Sequence, residues 1–296
     1  MSDIVLLGHP VAHSRSPVFQ NAALAAIGSP WTYGVRDVDE AGVHAAIDAI
    51  RRGALVGANV TAPHKAVAFA AADRPTPGAA ALGVANTLWC VDGQVYADNT
   101  DVAGVAAMRD ALGASGAHHA VVIGAGGAAR AAVIAMGATA SRVTVVNRTR
   151  SRADALVAAL ADHTAAALDA VDLADRAALR SAGVVVQATS VRDADPVRWR
   201  ELLDAMPDLV AALDLVYGAA PTGFIAEATA RGVRAADGAL MLVEQGAASF
   251  ERWTGRTAPR DVMYDALGAA LGRAPGWASP TAGTAEASAG RTALGE

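Results

Sequence analysis

The stretch that most narrows the choice of fold lies mid-chain: Ala120-Val121-Val122-Ile123-Gly124-Ala125-Gly126-Gly127-Ala128-Ala129. A short apolar run ends in glycine and passes directly into an alanine-rich segment of helical character. A second β-branched run, Val143-Thr144-Val145-Val146, follows. Strand, glycine turn, helix and strand make a βαβ unit, whose two strands lie parallel because a helix-length crossover joins them. The spacing Gly124-x-Gly126-x-x-Ala129 is the dinucleotide fingerprint in its alanine-ended form. Gly124 permits the tight turn, Gly126 lets a pyrophosphate approach the backbone, and Ala129 lets helix and strand pack closely. Gly127 and Ala128 then open a helix whose unpaired N–H groups face the phosphates.

The end of the second strand selects the cofactor. Residues 147–152 read Asn147-Arg148-Thr149-Arg150-Ser151-Arg152, three arginines and no carboxylate. A ribose 2′-hydroxyl calls for Asp or Glu here, whereas a 2′-phosphate calls for forked positive donors. A merely solvated basic helix start is the competing reading, but cations there oppose the helix dipole. NADP is therefore expected rather than NAD.

Around this unit, short β-branched runs alternate with alanine-rich segments over most of the 296 residues. That is the pattern of an α/β fold with parallel strands. Strands are expected at 3–8, 31–36, 54–60, 84–90, 119–124, 142–147, 183–188 and 210–216. Helices are expected at 17–28, 39–52, 64–71, 101–113, 127–137, 151–160, 198–204, 221–231, 240–254 and 259–271. Beyond about 273 the chain turns to Ala, Ser, Thr, Gly and Pro without periodicity, as a disordered tail would. The net charge of −5, without a large basic block, argues against a nucleic-acid binder, which would need a phosphate-neutralising patch. No uninterrupted apolar run reaches the ~18 residues of a membrane span, and the first residues lack a basic leader, so a cytoplasmic protein is expected. The lone cysteine, Cys90, sits in a strand-like run and reads as inert. No metal site is expected.

The chemistry-bearing residues cluster after strands in the first hundred positions. Ser14 and Ser16 place two hydroxyls before a helix start, suited either to cradling a small carboxylate or to ordinary capping by Ser16. Asn59-Val60-Thr61-Ala62-Pro63-His64-Lys65 runs from a strand into a helix led by Pro63. A cation in a first helical turn is electrostatically uphill, and a lysine there can pass a proton to a carbonyl oxygen; it can equally be an exposed lysine. Asn86-Thr87 and Asp98-Asn99-Thr100-Asp101 put amides and carboxylates at further loops, where Asp101 either caps a helix or does chemistry. Gln245 is an amide on an otherwise apolar helix, a core residue or a ligand contact.

Taken in order, these motifs resemble the shikimate dehydrogenase family. The matching strings are Ser14-x-Ser16-Pro17, Asn59-Val60-Thr61-x-Pro63-x-Lys65, Gly83-x-x-Asn86-Thr87, Asp98-Asn99-Thr100-Asp101, Gly124-Ala125-Gly126-Gly127-Ala128, Asn147-Arg148-Thr149 and Met241-Leu242-x-x-Gln245. The resemblance spans about residues 4–270. It implies two α/β domains with a cleft between them: a substrate domain of 1–102 plus 239–272, and a Rossmann-type NADP domain of 103–238. It implies Lys65 and Asp101 as the catalytic pair for reversible reduction of 3-dehydroshikimate. Ser14, Ser16 and Tyr217 would hold the substrate carboxylate, and Asn59, Thr61, Asn86 and Gln245 would meet the hydroxyls and the pair. NADP would be held by Gly124, Gly126, Gly127, Ala128, Asn147, Arg148, Thr149 and Arg152, with Arg148 and Arg152 at the 2′-phosphate. Three places depart from the family pattern: His9 in Gly8-His9-Pro10, Gln187 in Gln187-Ala188-Thr189-Ser190, and Gly218 after Tyr217. Quinate or aminoshikimate in place of shikimate, or a catalytically silent NADP-binding regulatory homologue, are the alternative readings. Monomer and homodimer both fit.

Overall fold

A computed structural model describes residues 3–191, 196–274 and 277. Most of the segment expected to be a disordered tail, and Arg192 beside the Gln187 loop, lie outside the described residues. Arg273 and Trp277, at the start of that segment, are placed: Arg273 pairs with Asp237, and the Trp277 ring N–H donates to the Tyr264 carbonyl at 3.1 Å.

The first half is built from β1 (Ile4–Gly8), α1 (Ser16–Ala26), β2 (Tyr33–Asp37), α2 (Glu40–Arg51), β3 (Gly57–Val60), α3 (Lys65–Ala71), β4 (Arg74–Pro75), α4 (Pro77–Leu82), β5 (Thr87–Val91) and β6 (Gln94–Asp98). Their strands form one sheet in the order β2-β1-β3-β5-β6-β4. Contrary to the all-parallel expectation, this sheet is mixed: β5 runs antiparallel to both β3 and β6. The cause is a two-residue hairpin at Asp92-Gly93, both at positive φ (50° and 76°), a turn whose twist suits antiparallel strands. The hairpin has a functional consequence. It brings the start of β5 and the end of β6 to the same edge as the ends of β1 and β3, with Asn59 opposite Thr87 and Thr87 opposite Asp98. Four loops rich in polar residues therefore meet there.

The second half comprises α5 (Asp101–Ala111), β7 (His119–Ile123), α6 (Gly127–Gly137), β8 (Arg142–Val146), α7 (Arg150–Leu160), β9 (Ala167–Val171), β10 (Val184–Gln187), α8 (Pro196–Asp204), β11 (Ala211–Asp214), α9 (Gly223–Ala230), β12 (Arg234–Ala236), α10 (Gly238–Thr254) and α11 (Arg260–Ala270). Its sheet is parallel throughout, in the order β12-β11-β10-β7-β8-β9. This is the doubly wound arrangement, with its switch point between β7 and β10. Strands β4, β6, β9 and β12 and helix α4 escape the sequence expectation. Strands β9 (ALDAV) and β12 (RAA) carry little β-branched residue, so pairing with a neighbour decides their conformation rather than propensity.

Both sheets are covered on both faces, so successive strand residues enter different cores. On β1, Ile4 and Leu6 pack with α1, α10 and α11, while Val5 and Leu7 pack with α2. On β7, Ala120 and Val122 face one core and Val121 and Ile123 the other. Helix α2 shows why such segments become helices: Asp39 caps it by accepting from the Gly42 N–H at 2.9 Å, and Val43, Ala46, Ile47 and Ile50 form its buried stripe. Helices α5 and α10 join the halves. Leu240 and Met241 belong to the core of the second sheet, while Ala239, Val243, Ala247 and Phe250 belong to that of the first. At their crossing Gly104 lies so close to Met241 that an added Cβ would sit 2.9 Å from its carbonyl oxygen. No helix of the described residues is long and apolar enough to cross a membrane.

One buried group makes stability depend on pH. His119, 4% exposed, sits between the Ser181 hydroxyl at 2.9 Å and the Thr144 hydroxyl at 2.8 Å. Thr144 gives its proton to Asp169 at 2.7 Å, which assigns His119 Nε2 as donor to Thr144 and leaves Nδ1 to accept. Burial, with the Arg142 charge beside it, lowers the His119 pKa. The neutral ring is thus favoured by folding, and its contribution is complete above the ordinary histidine value of about 6.5. It is lost as pH falls from there toward the depressed value. The urea midpoint should accordingly drop between about pH 7.5 and pH 5.5. His119→Gln should flatten that dependence; an unchanged slope would assign the acid sensitivity to other groups.

Candidate active site

The converging edge of the first sheet, closed by α10 and the segment after β11, encloses a cavity of about 460 Å³. Ser14, Ser16, Asn59, Thr61, Lys65, Asn86, Asp101, Tyr217 and Gln245 all line it. Residues separated by more than two hundred positions in sequence are thus brought to one space.

Lys65 is the first residue of α3, which starts one residue later than expected, with His64 at the N-cap position and Pro63 outside the helix. Its ammonium donates to Asp101 Oδ2 at 2.5 Å. Asp101 is only 8% exposed and is the first residue of α5. It does not cap that helix: Thr100 occupies the cap position, and the other carboxylate oxygen accepts from Asn86 Nδ2 at 2.9 Å. The orientation of the Asn86 amide is forced. Its Oδ1 receives the Thr100 backbone N–H at 2.9 Å and the Thr87 and Thr100 hydroxyls at 2.9 and 3.1 Å. Only the amide nitrogen is then left to face Asp101.

Beneath this pair lies a polar network that the sequence reading did not assign. Asn59 Nδ2 donates to the Asn86 carbonyl at 2.9 Å and lies 3.1 Å from the Thr87 hydroxyl and 3.0 Å from that of Ser249, while its Oδ1 accepts from the Tyr33 hydroxyl at 2.8 Å. Ser249 lies 2.8 Å from Thr87 and 3.1 Å from Thr100, and donates to the Gln245 carbonyl at 3.0 Å. Asn59 is thereby committed to holding Asn86 in place. A buried network with its members satisfied fixes its groups more tightly than any single bond. Thr87 and Thr100 stood inside recognised motifs, and Ser249 falls one helical turn after Gln245. Tyr33 carried no sequence signal beyond its strand.

At the opposite wall, Ser16 begins α1 but makes no capping bond, which leaves the capping reading without support. The Ser14 hydroxyl accepts from the Ser16 N–H at 3.2 Å, and the Ser16 hydroxyl sits by the Tyr33 phenol. Burial pushes that phenol's pKa up, so Tyr33 remains a neutral donor. At the rim, His9 Nδ1 meets Asp37 Oδ1 at 2.5 Å. Asp37 raises the His9 pKa, and the same bond lowers that of Asp37. Gln245 donates to the Leu242 carbonyl at 3.0 Å, and its Oε1 lies 3.4 Å from the Thr100 hydroxyl oxygen, so it borders both network and cavity.

The second candidate region is the β7–β10 switch point. Gly124 adopts φ +119°, a conformation closed to other residues without strain, and a Cβ there would lie 3.0 Å from the Ala188 carbonyl oxygen. Gly126 is the N-cap of α6 and makes no side-chain capping bond, and around Gly126 and Gly127 there is open space. Ala129 is fully buried against the sheet. Asn147 Nδ2 donates to the Thr149 carbonyl at 2.9 Å, shaping the turn after β8, and Thr149 is the N-cap of α7. Arg150 is committed to Asp154 at 2.9 Å and Asp172 at 3.7 Å. Exposed Arg148 and Arg152 have no side-chain bond or ion pair among the described residues. Open glycine backbone, unpaired helix N–H groups and two uncommitted guanidinium groups fit a 2′-phosphorylated dinucleotide. Gln187, where the family pattern has Asn, is fully buried; its amide donates to the Val191 carbonyl at 3.0 Å and accepts from the Thr189 N–H at 2.5 Å. It ties down the loop facing Gly124. Gly218 offers its carbonyl to Arg273 at 2.7 Å. Among the described residues no His, Cys, Asp and Glu grouping could hold a metal ion.

Comparison with known proteins matches three family models in succession. Residues 6–88 match the shikimate dehydrogenase substrate binding domain, 107–210 match shikimate/quinate 5-dehydrogenase, and 238–267 match the shikimate 5′-dehydrogenase C-terminal domain. Shikimate dehydrogenase (NADP(+)) of Symbiobacterium thermophilum is 40% identical over 284 residues, covering 90% of this chain and 93% of that protein. The enzyme of the same name from Methylobacterium radiotolerans is 42% identical over 267 residues, covering 84% and 90%. The crystal structure of shikimate 5-dehydrogenase from Thermus thermophilus in complex with NADP(H) and shikimate superposes with a TM-score of 0.78 at 37% identity. That likeness covers 92% of this chain and all of the other.

Proposed function

The chain belongs to the shikimate dehydrogenase family, and from that premise we propose that it is an NADP-dependent shikimate dehydrogenase acting through Lys65 and Asp101. The observation that carries this reading is the 2.5 Å contact between the Lys65 ammonium and the Asp101 carboxylate at the wall of the cavity.

NADPH, when bound, supplies the hydride for the ring carbonyl of 3-dehydroshikimate. Every other task falls to side chains of this protein. Lys65 donates a hydrogen bond to the carbonyl oxygen and gives it a proton as negative charge develops there. Asp101 orients the ammonium with one oxygen and, having four acceptor sites on its two oxygens, can also accept from a ring hydroxyl. Asn86 and Gln245 meet the remaining hydroxyls together with Thr61, and Asn59 acts by fixing Asn86. Ser14, Ser16 and Tyr217 hold the substrate carboxylate. Gly124, Gly126, Gly127, Ala128, Asn147 and Thr149 supply the backbone and turn that receive NADP, and Arg148 and Arg152 receive its 2′-phosphate.

In this reading residues 1–102 with 239–272 form the substrate domain and 103–238 the NADP domain. The two sheets and the bridging helices α5 and α10 support the division. A cytoplasmic setting belongs to the same proposal, with the protein as a monomer or homodimer. A silent regulatory homologue would have no need to keep Lys65 and Asp101 paired. Quinate and aminoshikimate present the same ring carboxylate, so the test is a parallel assay of shikimate, quinate and aminoshikimate with NADP and NAD. Fastest turnover is expected with shikimate and NADP. Preference for another ring acid would shift the substrate assignment alone, and no turnover with any combination would overturn the enzymatic reading.

A further inference from the structure

We propose that Arg130 is a positioning residue that couples NADP binding to the alignment of Lys65 and Asp101, a role that rests on the functional reading above. Arg130 lies in the second turn of α6, and its backbone N–H bonds to the Gly126 carbonyl at 3.1 Å. Its side chain does not stay with the second sheet. Nη1 donates at 3.2 Å to the carbonyl of Leu82, the last residue of α4 in the first half of the chain.

That carbonyl is a natural receptor. Helix α4 ends at Gly83 in the left-handed conformation, whose N–H satisfies Ala79 and Ala80. Leu82 thus presents a terminal carbonyl at the negative end of the helix, where a guanidinium is favoured by both hydrogen bonding and charge. The Leu82 side chain is 2% exposed and sits in the same core as Ala129, Ala132 and Val133 of α6. Arg130 therefore bridges two surfaces already packed together.

Of the five residues from Leu82 to Asn86, the last three are bonded either to the catalytic pair or to the segment that leads into Asp101. Val84 O accepts from Asn99 Nδ2 at 3.3 Å, and Ala85 N donates to the Lys65 carbonyl at 2.9 Å. Asn86 N donates to the Asp98 carbonyl at 2.9 Å, and the Asn86 side chain holds Asp101. A shift of Leu82 thus reaches Lys65 and Asp101 along the chain from Gly83 to Asn86, through the Ala85 backbone bond to Lys65 and the Asn86 side-chain bond to Asp101. Because α6 is also the helix whose N-terminus receives the pyrophosphate, ordering its first turns would fix Arg130 and, through it, the segment 82–86.

Two measurements on the intact protein test this. The first is hydrogen exchange over residues 82–86 with and without NADP, which reads ordering without turnover. NADP is expected to slow exchange there in the wild type and not in Arg130→Met. The second compares NADP dissociation constants with steady-state shikimate oxidation. Arg130→Met should bind NADP within about threefold of wild type while kcat drops by about 10- to 100-fold, the scale of a small misplacement of reacting groups. Arg130→Lys, which keeps a donor, should recover part of the loss, showing that the fold is not the cause. A variant that only raises the KM for NADP would make Arg130 a phosphate ligand and overturn the proposal. So would full activity in Arg130→Met, or a wild type whose exchange over 82–86 ignores NADP. NADP-dependent protection without turnover of any ring acid would instead sustain the coupling and refute the enzymatic reading.

Discussion

Replacing Lys65 by alanine is expected to lower kcat for shikimate oxidation by about a thousandfold, within the range of a lost proton-transferring group. The KM for shikimate should change little, because Ser14, Ser16 and Tyr217 on other elements line the cavity independently of α3. Asp101→Asn should cost about a hundredfold for a more specific reason. Both Asp101 oxygens accept hydrogen bonds, one from Lys65 and one from Asn86. An asparagine has one acceptor oxygen, so its NH₂ must face a donor on one side or the other. Asn86 cannot rotate to relieve this, since its own oxygen is held by the Thr100 N–H. The double variant should be scarcely worse than Lys65→Ala alone, because the two residues act as a unit. Initial rates with thermal melts run alongside check this; near-wild-type turnover in Lys65→Ala would remove the lysine from the chemistry.

The second large effect concerns cofactor choice. Arg148→Ala with Arg152→Ala should raise the KM for NADP by at least about a hundredfold, since each charge-assisted bond to phosphate is worth roughly 1.5–3 kcal/mol. The KM for NAD should hardly move, so the preference between the two collapses. Arg150→Ala is the internal control. That guanidinium is already taken by Asp154 and Asp172, and its loss should leave the preference largely intact. An equal effect from all three would mean that net positive charge, rather than two uncommitted side chains, selects NADP.

How far the sequence leads differs between the two halves of the molecule. The cofactor half is written locally: a tight turn, a close backbone approach and a helix start fall within Gly124–Ala129, so spacing alone exposes them. Arg148 and Arg152 are singled out for the same reason, and the structure separates them from Arg150, whose guanidinium is already paired. The proposed catalytic edge is not local. Lys65 and Asp101 meet because the Asp92-Gly93 hairpin reverses the chain between Asn86 and Asp98. That dipeptide is a strong hairpin signal, and giving it weight would have yielded β6 and the mixed sheet. Ser249 and Tyr33 were out of reach, since each matters only through partners on distant elements. Strands such as Ala167–Val171 are set by their neighbours, which single-residue preference does not register.

The most direct test follows a label rather than a rate. The protein would be incubated with 3-dehydroshikimate and NADPH carrying deuterium at the transferable position, and the product examined by NMR. The account predicts shikimate with one deuterium on the carbon that had been the ring carbonyl, formed by the wild type and nearly absent with Lys65→Ala. Product without label at that carbon, or no product from the wild type, would contradict it.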